Sequence, residues 1–140
     1  MNEKKLKSTH LPMTETAYYI LLSLTKERHG YGIMQHVEEL IGQRIKLGAG
    51  TIYGTLSKLE KDGLIIPVTE EDRRKTYKAS RLGVVLLKLE IKRLRELTEH
   101  GKKEMGGLFD VHTKIDPKQD TGVAARLLPL LFLDLRGVGL

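Results

Sequence analysis

Apolar positions along the first hundred residues recur with a helical period, switch to an extended one, and then return to helical spacing. Ala17, Ile20, Leu21 and Leu24 fall on one face of a predicted helix that Thr14 can cap and that runs to about Arg28. Gly30 is placed to end it, with "HGYG" (29–32) as a turn. Ile33, Val37, Leu40 and Ile41 mark a second helix, closed by Gly42. A basic linker, "QRIK", leads to a third, "GAGTIYGTLSKLEKDG" (48–63), in which Ile52, Leu56 and Leu59 point inward and Asp62-Gly63 ends the helix. "LIIPVT" (64–69) is short and β-branched, and Pro67 suits an edge strand. "EEDRRK" (70–75) forms a charged hairpin tip and "TYKA" (76–79) a returning strand. Ser80 then caps a long helix from Arg81 to about Lys103.

Three helices, a hairpin and a long helix in that order predict a mainly α (α+β) fold: a winged helix-turn-helix with a long C-terminal dimerisation helix. The predicted divisions are a DNA-binding domain over 1–79, the dimerisation helix over 80–105, and a tail over 106–140. In the long helix Val84, Leu87, Ile91 and Leu94 follow a 3-4-3 spacing, as in a coiled-coil seam. Leu82, Val85, Leu86 and Leu89 cover a different side. One apolar face would dock the helix on its own domain. Two imply a second surface, and a copy of the same helix across a two-fold axis covers it most economically.

Charge adds a partner. The 140-residue chain carries a net charge of +6. Beyond residue 105, Lys114, Lys118, Arg126 and Arg136 cancel Asp110, Asp116, Asp120 and Asp134, so the excess lies in residues 1–105 and favours a polyanion. With Ile52, Leu56 and Leu59 inward, the third helix turns Gly50, Thr51, Gly54, Ser57, Lys58 and Lys61 outward. Small residues there let a backbone approach a bulky object, the helix N-terminus offers N–H groups to phosphate, and the lysines add charge. The same face would also suit plain solvation. Arg73, Arg74 and Lys75 at the hairpin tip suit a phosphate run or a minor groove, although Glu70, Glu71 and Asp72 partly neutralise them.

Other chemistries fit less well. "GAGTIYG" has the spacing G-x-G-x-x-x-G, Tyr53 stands where a dinucleotide fingerprint needs its third glycine, and no second βαβ half follows. The absence of cysteine excludes disulfides, a thiol nucleophile and cysteine-based zinc sites. His10, His29, His36, His100 and His112 show no metal-ligand spacing, and no Ser/His/Asp grouping or carboxylate pair suggests an enzyme. No cofactor is implied. The basic start lacks the apolar run of a signal peptide, and "LLPLLFLDL" (127–135) is too short and too interrupted to span a bilayer, so a soluble cytoplasmic protein is expected. The tail shows no clear period, with an extra helix near 123–135 as one option.

"YYILLSL…HGYGI", "GTIYGTLSKLEKDGLI" and "RRKTYKAS" followed by Gly83 together resemble the PadR family of bacterial transcriptional regulators, over about residues 11–104. The resemblance is to the smaller subfamily, in which one dimerising helix is the only C-terminal element. It implies a homodimeric repressor on a pseudo-palindromic operator in double-stranded DNA, released by a small phenolic or drug-like effector. Family roles then fall on Gly50, Thr51, Tyr53 and Lys58 of the recognition helix, on Tyr31 of the preceding helix, and on Arg73, Arg74 and Tyr77 of the wing. Val84, Leu87, Ile91 and Leu94 match the dimer helix. The strand-to-helix phrase here is "YKASRLG", where the family usually has Tyr-x-Leu-Thr-x-x-Gly, and no aromatic residue lies between Arg81 and Lys103. The alternative reading is a winged helix that docks a protein without touching DNA.

Overall fold

The computed structural model describes residues 1–111; the option of a helix near 123–135, most of the predicted tail and His112 lie outside them. Contacts divide the chain into two compact units, residues 1–101 and 102–140, and the first holds the core. Five helices and three short strands run in the order α1 (Glu3–His10), α2 (Glu15–Ser23), β1 (Arg28–His29), α3 (Gly30–Ile41), α4 (Ala49–Lys61), β2 (Ile65–Glu71), β3 (Arg74–Ala79) and α5 (Arg81–Met105). The strands form one antiparallel sheet in the order β1-β3-β2, so the strand bearing Pro67 is an edge, as expected. Ile20, Leu21, Leu24, Ile33, Val37, Ile52, Leu56, Leu64, Ile65, Leu86 and Leu87 make the core.

Local chemistry sets several boundaries where the sequence placed them. Thr14 Oγ1 accepts the Ala17 N–H at 3.1 Å and caps α2. Gly42 closes α3 at φ +64°. At the end of α4 the Leu64 N–H donates to the Leu59 carbonyl (2.9 Å) and the Gly63 N–H to that of Glu60 (3.0 Å), with Gly63 at φ +74°. This is a Schellman closure, and it needs the left-handed residue that glycine provides. Ser80 Oγ accepts the Gly83 N–H at 3.1 Å and donates to the Gly63 carbonyl at 2.6 Å, so one hydroxyl both caps α5 and ties it to the end of α4.

Four expectations are corrected. First, α2 stops at Ser23 rather than near Arg28, and Gly30 opens α3 instead of ending α2. The Leu24 carbonyl is taken by the Ala79 N–H at 2.7 Å, and Arg28 and His29 pair with Tyr77 and Thr76, so sheet formation interrupts the helical pattern. The "HGYG" stretch is accordingly strand and helix start, not a turn. Second, an N-terminal helix, α1, precedes the predicted ones; Asn2 caps it at 2.8 Å, a Glu3–Lys7 pair (2.9 Å) supports it, and Leu6 buries it. Third, Leu40 is about half exposed, because α3's inward face ends at Val37 and the partly covered Ile41. Fourth, the hairpin tip is two residues, Asp72 and Arg73, both at positive φ (51° and 63°), rather than six. Two left-handed residues give the connection that matches strand twist.

Part of α5's apolar surface is covered from within the chain. Gly83, Leu86, Leu87 and Glu90 form its buried face, and Leu82 and Leu89 are half buried. The buried Glu90 carboxylate accepts the Met13 N–H at 2.7 Å through Oε2 and holds Arg93 Nε through Oε1, which ties the α1–α2 connection to α5. A cavity of about 240 Å³ is shared by Lys7 and Leu11 with Leu89, Lys92, Arg93 and Glu96. Leu87, predicted as a seam residue, is thus 3% exposed and belongs to the core, whereas Val84, Ile91 and Leu94 are each exposed at 36–37%. The helical phase explains the split, since Leu87 lies between the core face and the outer stripe.

Candidate nucleic-acid interface

On α4 the inward Ile52, Leu56 and Leu59 are buried and Gly50, Thr51, Gly54, Ser57, Lys58 and Lys61 are exposed, as the helical period requires. A Cβ built at Gly50 or Gly54 would meet nothing within 4 Å. No neighbour within the chain therefore demands glycine at either place. At the start of α4, Gly48 is an N-cap without a side chain to accept a hydrogen bond, so first-turn N–H groups remain open. Lys58 and Lys61 have no ion-pair partner among the described residues.

One flank of this face is built from α3 and the hairpin. His29, Gly30, Tyr31, Tyr53, Arg73, Arg74 and Lys75 line a single open cleft of about 250 Å³. The Tyr53 ring lies against Gly30, where an added Cβ would come within 2.9 Å of its hydroxyl. Glycine at the start of α3 thus makes room for that ring. His29 caps α3, its Nδ1 accepting the Gly32 N–H at 3.1 Å, and its ring stacks with that of Tyr31 at 6.4 Å between centroids. Sequence reasoning gave His29 no role; its signal was a capping residue just before a helical run. Tyr31 and Tyr53 stay more than half exposed.

The hairpin cations are not equivalent. Arg73 and Arg74 are exposed and lack an ion-pair partner among the described residues, although Glu71 stands opposite Arg74 in the ladder. Lys75 instead reaches α4, its ammonium 3.5 Å from Glu60 Oε1 and 5.5 Å from the Tyr77 ring centroid. It therefore braces the hairpin against the helix. Tyr77 requires a correction: at 8% exposure it belongs to the core and offers no contact surface. Ala79, two residues on along the same strand face, is buried with it.

A second tie fixes the base of the hairpin. The Thr69 and Thr76 hydroxyls both donate to Glu27 Oε1 at 2.6 Å, and the Thr69 N–H donates to Thr76 Oγ1 at 3.0 Å. These hydrogen bonds, Thr69's before Thr76's, hold the Glu27 carboxyl below its ordinary pKa, so it is an anion at neutral pH. Glu27 was not singled out from the sequence, because its partners lie more than forty residues away. Among the described residues no three His, Cys, Asp or Glu side chains group as metal ligands, and no helix is long and apolar enough to cross a membrane.

With this geometry in place, comparison with known proteins is decisive about family. The sequence model of the transcriptional regulator PadR-like family matches residues 20–89, from the buried Ile20 of α2 to Leu89 of α5. The chain belongs to the PadR-like family. Among curated proteins, an uncharacterized 37.1 kDa protein in transposon TN4556 of Streptomyces fradiae is 34% identical over 70 residues, half of this chain. The chain spans only about a fifth of that relative's length (20%). Among solved structures, a PadR family transcription regulator from Clostridium difficile is similar with a TM-score of 0.57 and 23% identity, over 66% of this chain and all (100%) of its own. A PadR family transcriptional regulator from Eggerthella lenta follows at 0.54 and 20%, covering 74% of this chain and 88% of that one. These two likenesses establish the winged-helix fold of this PadR-like chain, and the family is one of transcriptional regulators.

Proposed function

We propose that this PadR-like protein is a homodimeric, sequence-specific DNA-binding regulator that represses nearby genes. The convergence of Tyr31, Tyr53, Arg73 and Arg74 in one open cleft beside the exposed, small-residue face of α4 supports this reading most. In it, α4 enters the major groove with Gly50, Thr51, Gly54 and Ser57 nearest the bases, as helix-turn-helix proteins dock. Lys58, Lys61, Arg73 and Arg74 meet the phosphate backbone. Lys75 and Tyr77 act inside the protein instead. The protein is read as acting without a catalytic centre or cofactor, from a soluble cytoplasmic location. Release by a small phenolic or drug-like effector rests on family resemblance alone. A winged helix that docks a protein instead gains no support from a cleft whose unpaired side chains are cationic.

Gly54 separates DNA contact from folding. Leucine there meets open space within the chain and improves helix propensity by up to about 1 kcal/mol. Gly54→Leu is thus expected to raise the melting temperature slightly while weakening promoter binding at least tenfold by mobility shift. Unchanged binding would remove α4's outer face from the interface.

In the proposed dimer, Val84, Ile91 and Leu94 face a second copy of α5. Charging Leu87 would unfold the protein, since it lies in the core. The informative variant is Ile91→Asp with Leu94→Asp, both on the exposed stripe. It should sediment as a folded monomer, and a persistent dimer would refute the seam.

A further inference from the structure

The recognition helix α4 has two flanks, and only one is the wing. Tyr53 and Glu60 lie on the flank that meets Gly30 and Lys75. Thr55 and Asp62 lie on the opposite flank, about half a turn round the helix. There they share a cleft of about 220 Å³ with Lys58 and with Thr9 and His10 of α1. The helix that the sequence pattern did not announce therefore stands beside the recognition helix, on the side away from the wing.

Helical spacing decides which residues of α1 that flank presents. Leu6 is buried at 1% exposure and sets the inward direction. Lys5 lies one turn before Thr9 on the same strip, so it continues the α4-facing edge toward solvent. Lys7 lies on the other edge, where it pairs with Glu3 at 2.9 Å and shares a cavity with Lys92 of α5. Lys4 is displaced from both edges, nearly opposite Leu6. Lys5 is exposed and has no ion-pair partner among the described residues, and the same is true of Lys58. The flank thus carries two unpaired ammonium groups, the Thr9 hydroxyl and the His10 ring against a single carboxylate, Asp62.

We propose that this strip of α1 is a second phosphate-binding flank of the DNA interface, with Lys5 as its cation and Thr9 as a neutral hydrogen-bond donor. It rests on the DNA-binding reading given above and extends it. The two flanks would then bracket α4, so that phosphates on both sides of the groove fix the helix in register, whereas the bases are read between them. Such contacts are independent of sequence and appear in the salt dependence of binding.

Two charge reversals of equal size on the same short helix test this. Lys5→Glu and Lys4→Glu lower the net charge identically, and neither touches the core. With a promoter duplex titrated by fluorescence anisotropy from 50 to 200 mM salt, Lys5→Glu is expected to weaken binding about tenfold or more. It should also reduce the slope of log K against log salt by about one for each half-site. Lys4→Glu should change affinity less than threefold, with matching melting temperatures for the two variants. Equal effects of the two reversals would overturn the proposal, because a long-range charge effect would then explain both. No effect of Lys5→Glu, in a native protein that binds steeply with salt and loses affinity when Arg73 and Arg74 are removed, would overturn it too while leaving the DNA-binding reading intact. Failure of the native protein to bind the duplex at all would instead sink both.

Discussion

Replacing Arg73 and Arg74 together by alanine is expected to weaken DNA binding by roughly ten- to a hundredfold at moderate salt, across all sequences tested. Both residues sit at the hairpin tip, exposed and without an ion-pair partner among the described residues. Lys75 differs, since its ammonium braces Glu60 of α4, and removing it should act through hairpin placement. Two lost phosphate contacts should reduce the salt slope by about 1.8, taking about 0.9 for each contact in B-DNA. The melting temperature should hardly move, because neither side chain is part of the core. Anisotropy titrations at several salt concentrations give both quantities, and an unchanged slope would take the wing out of the interface.

The largest effect on folding is expected at Gly83. A Cβ there would sit 2.1 Å from the Leu64 carbonyl oxygen and 3.1 Å from its carbon. That carbonyl cannot swing aside freely, because it accepts the Ser80 N–H at 2.9 Å. Gly83→Ala must therefore push α5 away from the end of α4 and disturb Leu86 and Leu87 behind it. A destabilisation of about 3 kcal/mol or more is expected from overpacking against backbone, a fall in melting temperature of about 10 °C. Gly101→Ala provides the opposite sign in the same helix. Its Cβ meets nothing within 4 Å, so helix propensity should make that variant slightly more stable. Thermal unfolding of the pair isolates the close approach at Gly83 from the general cost of glycine in a helix.

What could be read in advance was what local chemistry decides. The Asp62-Gly63 stop, the Ser80 cap and the inward set Ile52, Leu56 and Leu59 each depend on residues a few positions apart, and each is present in the structure. The end of α2 was not legible, because it is fixed by Ala79 and Tyr77, some fifty residues downstream. Helix α1 escaped notice because Leu6 is its one buried residue and gives no period, although Asn2 and the Glu3–Lys7 spacing were visible signals. Leu87 satisfied a coiled-coil spacing and a core spacing at once, and sequence alone does not choose between them. Tyr77 could have been corrected earlier, since a strand that turns Ala79 inward turns Tyr77 inward as well. The exposed face of α4 was legible because only its buried side is constrained by packing. Its bracketing by the wing and by α1 was not, for both neighbours are distant in the chain.

The most direct measurement is the affinity of the full chain for a duplex carrying its own promoter region, followed from 50 to 200 mM salt. An interface built on Lys58, Lys61, Arg73 and Arg74 in each half of a dimer predicts a steep linear fall, on the order of a thousandfold or more over that range. A duplex affinity that does not change with salt, or no binding to that duplex, would contradict the account.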